Sequence, residues 1–330
     1  VKFFLFAALL CLVGFSPTHA QEWGGAFKNY PLPTDNALPS RVIAAADGSV
    51  WVLEANAGKI AVFQPDKETF AEYDIPTSNS FPTDFAFDPS GRLWFTEQDA
   101  NQLGVFDPVA KTFKEYDIPT IDSFPRRLIV DGKGIVWFTE FYGNAIGRFD
   151  PKTEKFIEYA VPTKNSRPTG ILLDKDGQVW FVETEGDKFG VLDPNGGAIK
   201  EFPFVEAFLS PKDIIMDASG VIWFGARTRS KLGMFNPADG KFEGYDLPVR
   251  GVIEGMAVDK RGNILFSLGH VGRLGVFDTG SKSFLEVKVT LGSSEPDGLD
   301  VDGHGDIWFT DITRNSLVKV NGEEISKLWL

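Results

Sequence analysis

Seven positions recur along the chain at intervals of 43 residues, shortened once to 42: Ser40, Thr83, Arg126, Thr169, Lys212, Glu254 and Asp297. They do not share a residue type. Arg126 and Lys212 are cations, Glu254 and Asp297 are carboxylates, and the rest are hydroxyls. Where repeated units differ, a symmetric scaffold can acquire a site. Paired carboxylates can share a proton or hold a metal, and neighbouring cations can orient an anionic group. Asp311 belongs to the same unit as Asp297 and stands where the two strand ends should meet. His270 follows the second strand of the sixth unit and could serve as a base near Asp297, with Arg273 close by. His304, in the turn Asp302-Gly303-His304-Gly305, reads as a surface residue on the opposite face. The catalytic candidates are therefore Asp297, Asp311, Glu254 and His270. The ligand-binding candidates are Arg126, Lys212, Ser40, Tyr142 and Arg227, with Arg229 beside the last.

A second set is Glu54, Glu97, Glu140 and Glu183, each ending the same strand of successive units. Four like residues could form an arc of oxygens for Mg²⁺ or Ca²⁺, or could each make one repeated structural hydrogen bond. Ala226, Leu268 and Asp311 break the set. The chain has no glycine-rich phosphate loop, no histidine cluster for zinc and no Ser-His-Asp order that the repeat would bring together.

The scaffold is itself repetitive. Trp51, Trp94, Trp137, Trp180, Trp223, Leu265 and Trp308 each stand 11 residues after one of those seven positions, in stretches such as Leu93-Trp94-Phe95-Thr96-Glu97. A regular period of this length defines a repeat architecture. Each unit holds four short apolar runs separated by turn signals such as Lys175-Asp176-Gly177 and Asp193-Pro194-Asn195-Gly196. Short strands with frequent turns and no helical period predict an all-β, seven-bladed β-propeller with four antiparallel strands per blade. The Trp and Phe repeats are expected to pack blade against blade. Phe27-Lys28-Asn29-Tyr30-Pro31 matches the outer strand of other units, so the N-terminal strand should close the ring as the outer strand of the last blade. Ile325 to Leu330 compete for that place in poorer register, and the role of 321–330 stays open.

Residues 1–20 read as a signal peptide: Lys2, a continuous apolar run from Phe3 to Phe15, and a small-residue cleavage site at Ala20. Lipidation at Cys11 is the alternative. Residues 21–330 then form a single propeller that is secreted or periplasmic. Cys11 is the only cysteine, so the mature chain would carry no disulfide and no thiol chemistry. With 33 Lys+Arg against 46 Asp+Glu, a net charge of −13, nucleic acid is excluded as a partner. No segment after the leader is long and apolar enough to span a membrane.

The units Pro168-Thr169-Gly170-Ile171, Gly177-Gln178-Val179-Trp180-Phe181-Val182-Glu183, Asn144-Ala145-Ile146-Gly147-Arg148-Phe149 and Glu115-Tyr116-Asp117-Ile118-Pro119 resemble the blade signature of the streptogramin lyases, the virginiamycin B lyase family. The resemblance implies a seven-bladed propeller that opens cyclic depsipeptides by elimination with Mg²⁺. It further implies a Tyr at the opening of blade one, His at the openings of blades six and seven, and a Glu in the last blade. Here those openings carry Ser40, Glu254 and Asp297, and the strand end of the last blade is Asp311. The imidazole and phenol of the family are therefore replaced. Gluconolactonase-type propellers, which hold one divalent ion in the channel, are a second analogy. The expected function is binding of a small molecule, an envelope ligand or a protein partner at the channel mouth. The alternatives are a divalent-metal-dependent lyase or lactone hydrolase, and a structural cell-envelope propeller.

Overall fold

A computed structural model describes residues 26–204 and 209–326. The segment read as a signal peptide lies outside the described residues, as do residues 327–330. Seven four-stranded antiparallel sheets form a ring, and their innermost strands pack on one another around a central channel. Blade 2 stands for the rest: Pro82–Phe87, Leu93–Glu97, Gln102–Asp107 and Thr112–Asp117, hydrogen-bonded in that order from the channel outward.

Five blades are built on the same local chemistry, which blade 2 shows. The carboxylate of Asp88 accepts from the backbone N–H of Ser90 at 2.8 Å and of Arg92 at 3.1 Å, which folds the first turn. Gly91 completes that turn at φ +84°, a conformation that disfavours any side chain. The other oxygen of Asp88 accepts from Trp94 Nε1 at 3.2 Å, so the turn also orients the indole. Asp131, Asp174, Asp217 and Asp302 hold Trp137, Trp180, Trp223 and Trp308 in the same way. The ring of Phe95 then lies across the third strand. A Cβ on Gly104, its cross-strand partner, would come within 2.1 Å of that ring, so only glycine fits there.

The oriented aromatics bury themselves in the next blade. Trp94 meets Phe149 with centroids 5.6 Å apart, and Trp308 of the last blade meets Phe63 of the first at 5.9 Å. Both indoles are fully buried. Truncating one of them would cost about 3–5 kcal/mol. Blade 7 is ordered Phe27–Pro31, Ser316–Val320, Ile307–Asp311, Pro296–Val301 from outside inward, with Phe27 opposite Val320 and Pro31 opposite Ser316. The N-terminal strand thus closes the ring, leaving no unpaired edge between the chain ends. Beyond Val320 the described chain forms a short helix, Gly322–Ser326.

One irregularity positions the site. In six blades the register of the innermost strand shifts at its start, as between Pro82 and Phe85 or between Pro296 and Leu299. Such a bulge leaves backbone unpaired and re-aims side chains. In four of these blades a buried hydroxyl from the second strand satisfies it. Thr96 accepts from the N–H of Asp84, Thr139 from Arg127, Ser267 from Gly255 and Thr310 from Gly298, at 2.9–3.2 Å. Two successive residues of a bulged strand can thereby face the channel, as Ser40 and Arg41 or Arg126 and Arg127 do.

A candidate ligand-binding site at the channel mouth

The seven blade-opening residues gather at one end of the channel. Ser40, Thr83, Arg126, Thr169, Lys212, Glu254 and Asp297 all line one cavity of about 190 Å³. Beneath them lie residues that follow the openings, four of which pair by charge. Arg41 contacts Asp84 at 2.7 Å and Asp213 at 3.1 Å, and Arg127 contacts the same two carboxylates at 3.5 and 3.1 Å. This closed Arg-Asp-Arg-Asp ring is largely buried and internally neutral. Its charges hold Asp213 below the usual carboxylate range despite burial.

Above that floor the mouth is asymmetric. On one side the ammonium of Lys212 lies 2.8 Å from Glu254 and 3.7 Å from Asp297. Burial raises the pKa of Asp297; Lys212 opposes this and Glu254 adds to it. On the other side Arg126 lies between the rings of Phe124 and Phe141, 4.9 Å from each. Burial, Arg127 and Arg227 depress its pKa. Leu38, Phe81, Phe124, Arg167 and Ser210, each two residues ahead of a blade opening, sit at φ between +44° and +59°. Bulky residues in this region store strain of about 1–3 kcal/mol each, a cost that tends to mark functional loops.

Sequence reasoning placed Ser40, Arg126, Lys212, Glu254 and Asp297 at this mouth, and they converge there. Arg227 lines an adjoining cavity with Arg126 and Lys212. The remaining candidates go elsewhere. Asp311 is fully buried and accepts from the hydroxyl of Ser294 and from the backbone N–H groups of Glu295 and Arg314, so it braces a loop and does not meet Asp297. His270 is largely exposed, pairs with Glu295 at 3.0 Å, and lines a separate surface cavity. Tyr142 is half-exposed, stacking on Phe124 at 4.6 Å and under Arg167 at 4.5 Å.

The four glutamates do not form an arc around the channel. Glu54, Glu97, Glu140 and Glu183 have no exposed surface. Glu140 and Glu183 are packed against turn glycines of their own blades: a Cβ on Gly143 would come within 2.7 Å of Glu140 Oε2, and one on Gly186 within 2.6 Å of Glu183 Oε2. Burial and then the outer-strand acids Glu72, Glu115, Glu158 and Glu201 push their pKa up, to about 8 for the first three and about 7 for Glu183. Among the described residues no group of three or more His, Cys, Asp or Glu side chains could hold a metal ion. The two mouth carboxylates face an ammonium already, so the residues present do not suit Mg²⁺ or Ca²⁺.

Arg41, Asp84, Arg127 and Asp213 were not anticipated. Their signal lay one residue past each opening, where four residues of alternating charge share the position with Gly170, Gly255 and Gly298.

Fold and site together define a closed seven-bladed propeller with a charged, asymmetric pocket at one end of its channel. The chain belongs to the Virginiamycin B lyase family, whose profile matches residues 19–276, ending within the third strand of blade 6. It is similar to the crystal structure of virginiamycin B lyase from Staphylococcus aureus, with 26% identity, a TM-score of 0.84, and coverage of 89% of this chain and 98% of that one. A catalytically inactive His-to-Ala variant of that enzyme, solved with quinupristin, matches at 25% identity and a TM-score of 0.84, covering 89% of this chain and 98% of the other. The extracellular domain of a one-component system from B. thetaiotaomicron shares the fold at 15% identity and a TM-score of 0.73, over 90% of this chain and 40% of that one. No curated protein compared with the chain matches it. No helix among the described residues is long and apolar enough to cross a membrane.

Proposed function

We propose that this protein binds a small-molecule ligand at the channel mouth, without the acid–base apparatus of the family's lyases. One observation carries the reading. The seven equivalent blade openings converge on a single cavity, yet present two cations, two carboxylates and three hydroxyls rather than a repeated packing residue. Ser40, Glu254 and Asp297 occupy the positions at which family resemblance leads one to expect Tyr, His and His. The leader-like residues 1–20 support action outside the cytoplasm, which N-terminal sequencing of the exported protein tests.

The test is a thermal-shift and calorimetric screen of cyclic depsipeptides, quinupristin among them, and of soluble envelope glycans. Hits are repeated on Thr83→Trp, in which the indole fills the cavity. A mouth ligand loses at least about tenfold in affinity there; hits that bind both proteins equally refute the proposal.

A second reading has one specific observation behind it. The raised pKa of Asp297, beside Glu254 and Lys212, is what a carboxylic acid needs to protonate a leaving oxygen, the carboxylate freed by elimination or the alkoxide freed by hydrolysis. Elimination would open a lactone with no change of mass, and hydrolysis would add one water. Mass spectrometry of quinupristin incubated with the protein separates these outcomes from simple binding. A divalent ion would have to displace the ammonium of Lys212, so melting temperatures with and without Mg²⁺ or Ca²⁺ test the metal-dependent version.

A further inference from the structure

We propose that the cavity adjoining the mouth, between blades 3 and 5, is a subsite for a carboxylate attached to a flat apolar body. It rests on the reading that ligands bind at the mouth, and adds which chemical group the protein selects. The cavity is about 460 Å³ and shares Arg126, Thr169 and Lys212 with the channel cavity. Arg126 forms one wall, and Arg227, from the loop after the second strand of blade 5, forms another.

The charge balance is uneven. The other cations that line the two cavities have carboxylates: Arg41 and Arg127 share Asp84 and Asp213, and Lys212 has Glu254. Arg167, nearby, reaches Glu185 at 3.9 Å. Among the described residues neither Arg126 nor Arg227 is in an ion pair, and the buried Nε of Arg126 has no hydrogen-bond partner. The two guanidiniums line one cavity, and Arg127 and Arg227 both disfavour the charge on Arg126, which Tyr142 and Asp99 only partly offset. An anion placed between them would counter that effect and supply the missing acceptor. Arg126 is also preorganised, since Phe124 and Phe141 clamp its guanidinium from two sides. Clamping lowers the ordering cost of binding and leaves the planar fork that matches a carboxylate.

The rest of the lining selects among anions. Phe141 and Val252 offer apolar surface beside the guanidiniums, suited to an aromatic or aliphatic body. Glu185 stands in the same wall, and Glu254 and Asp297 lie just across Lys212. A phosphate dianion would face those three carboxylates, whereas a monoanion with an apolar tail directs one charge to Arg126 and Arg227 and turns its body away.

The experiment is calorimetry of the full chain at pH 7 with benzoate and phenylacetate, their neutral amides, and inorganic phosphate. At least one acid should bind at least about tenfold more tightly than its amide, as expected for charge-assisted hydrogen bonds. It should also bind more tightly than phosphate. Arg126→Ala and Arg227→Ala should each abolish that preference, and Arg229→Ala, in the same exposed loop, should keep it. Arg227 is exposed, so its variant tests the subsite even if Arg126→Ala does not fold. The inference is overturned if acid and amide bind alike, if phosphate binds best, if neither arginine matters, or if none of these probes binds. Acid and amide that bind alike but both fail on Thr83→Trp would leave the mouth as a binding site while removing the anion subsite. A screen in which no ligand of any kind binds would remove the mouth reading itself.

Discussion

The ammonium of Lys212 lies 2.8 Å from the carboxylate of Glu254, across the boundary between blades 5 and 6. Both residues occupy the same structural position in their blades, so the pair exists only because the repeat has diverged there. With Asp297 at 3.7 Å on the other side, Lys212 holds together two acids that would otherwise repel. Replacing Lys212 by Met should cost about 1–3 kcal/mol, because it leaves two carboxylates partly buried without a cation. It should also raise the pKa of Asp297 further. Urea denaturation and an NMR titration of the Asp side chains measure both effects; an unchanged Asp297 titration would mean that Lys212 is not its partner.

Thr310 donates no side-chain bulk to the channel but holds the bulge that carries Asp297, through the N–H of Gly298 at 2.9 Å. Thr310→Val keeps the shape and removes the acceptor. A buried N–H left unpaired should destabilise the protein by about 1–3 kcal/mol. Thr310→Ser, which keeps the hydroxyl, should recover most of the loss. Equal stability of the Val and wild-type proteins in chemical denaturation would show that the bulge needs no such support.

Ring closure depends on the N-terminal strand. Tyr30 stacks on Trp308 at 6.1 Å and meets Phe63 of blade 1 at 4.4 Å, joining both chain ends to one core. Tyr30→Ala should cost about 3–5 kcal/mol and should convert a single cooperative melt into one with early loss of blade 7. Hydrogen exchange confined to Ser316–Val320 would report that opening, and uniform exchange across all blades would argue against it.

The buried glutamates predict an unusual pH dependence. Their folded-state pKa values of about 8, 8, 8 and 7 lie above the ordinary value of 4.5, so the folded protein holds these protons more tightly than the unfolded chain does. Their stabilising contribution is complete below about pH 4.5 and is lost as pH rises through 7–8. Acids such as Asp88 and Asp217, whose pKa values are lowered, act in the opposite sense below their ordinary 3.8. Melting temperature should therefore fall from pH 5.5 to pH 8.5. In Glu97→Gln the fall should be smaller, and the variant should gain about 1–2 kcal/mol at pH 8.5. Identical pH profiles for wild type and variant would show that Glu97 does not titrate in this range.

Much of this was legible in the sequence because one period governs it. The Trp spacing reveals the blades, and the match of Phe27-Lys28-Asn29-Tyr30 to other outer strands reveals the closing strand. The opening positions were correctly gathered at one mouth. What periodicity cannot say is which way a strand-end side chain turns. Asp311 and Glu140 end equivalent strands, yet both carboxylates fold under the adjoining loops. The bulge also turns a second residue of some inner strands inward, as with Arg41 and Arg127, so a two-residue alternation misses the Arg-Asp ring they form with Asp84 and Asp213. His270 follows a strand that points to the mouth, but a turn of 3₁₀ helix, Gly269–Val271, carries its imidazole outward to Glu295.

The central claim is that the mouth is a ligand site, and calorimetric binding to wild type and Thr83→Trp tests it most directly. Thr83 lines the cavity, and its hydroxyl bonds the carbonyl of Arg126 at 2.9 Å, so an indole there occupies the space between the charged walls. A ligand found in the screen should bind wild type and lose at least about tenfold in affinity on the variant, with the fold intact by circular dichroism. Equal affinity for a folded Thr83→Trp protein would contradict the account.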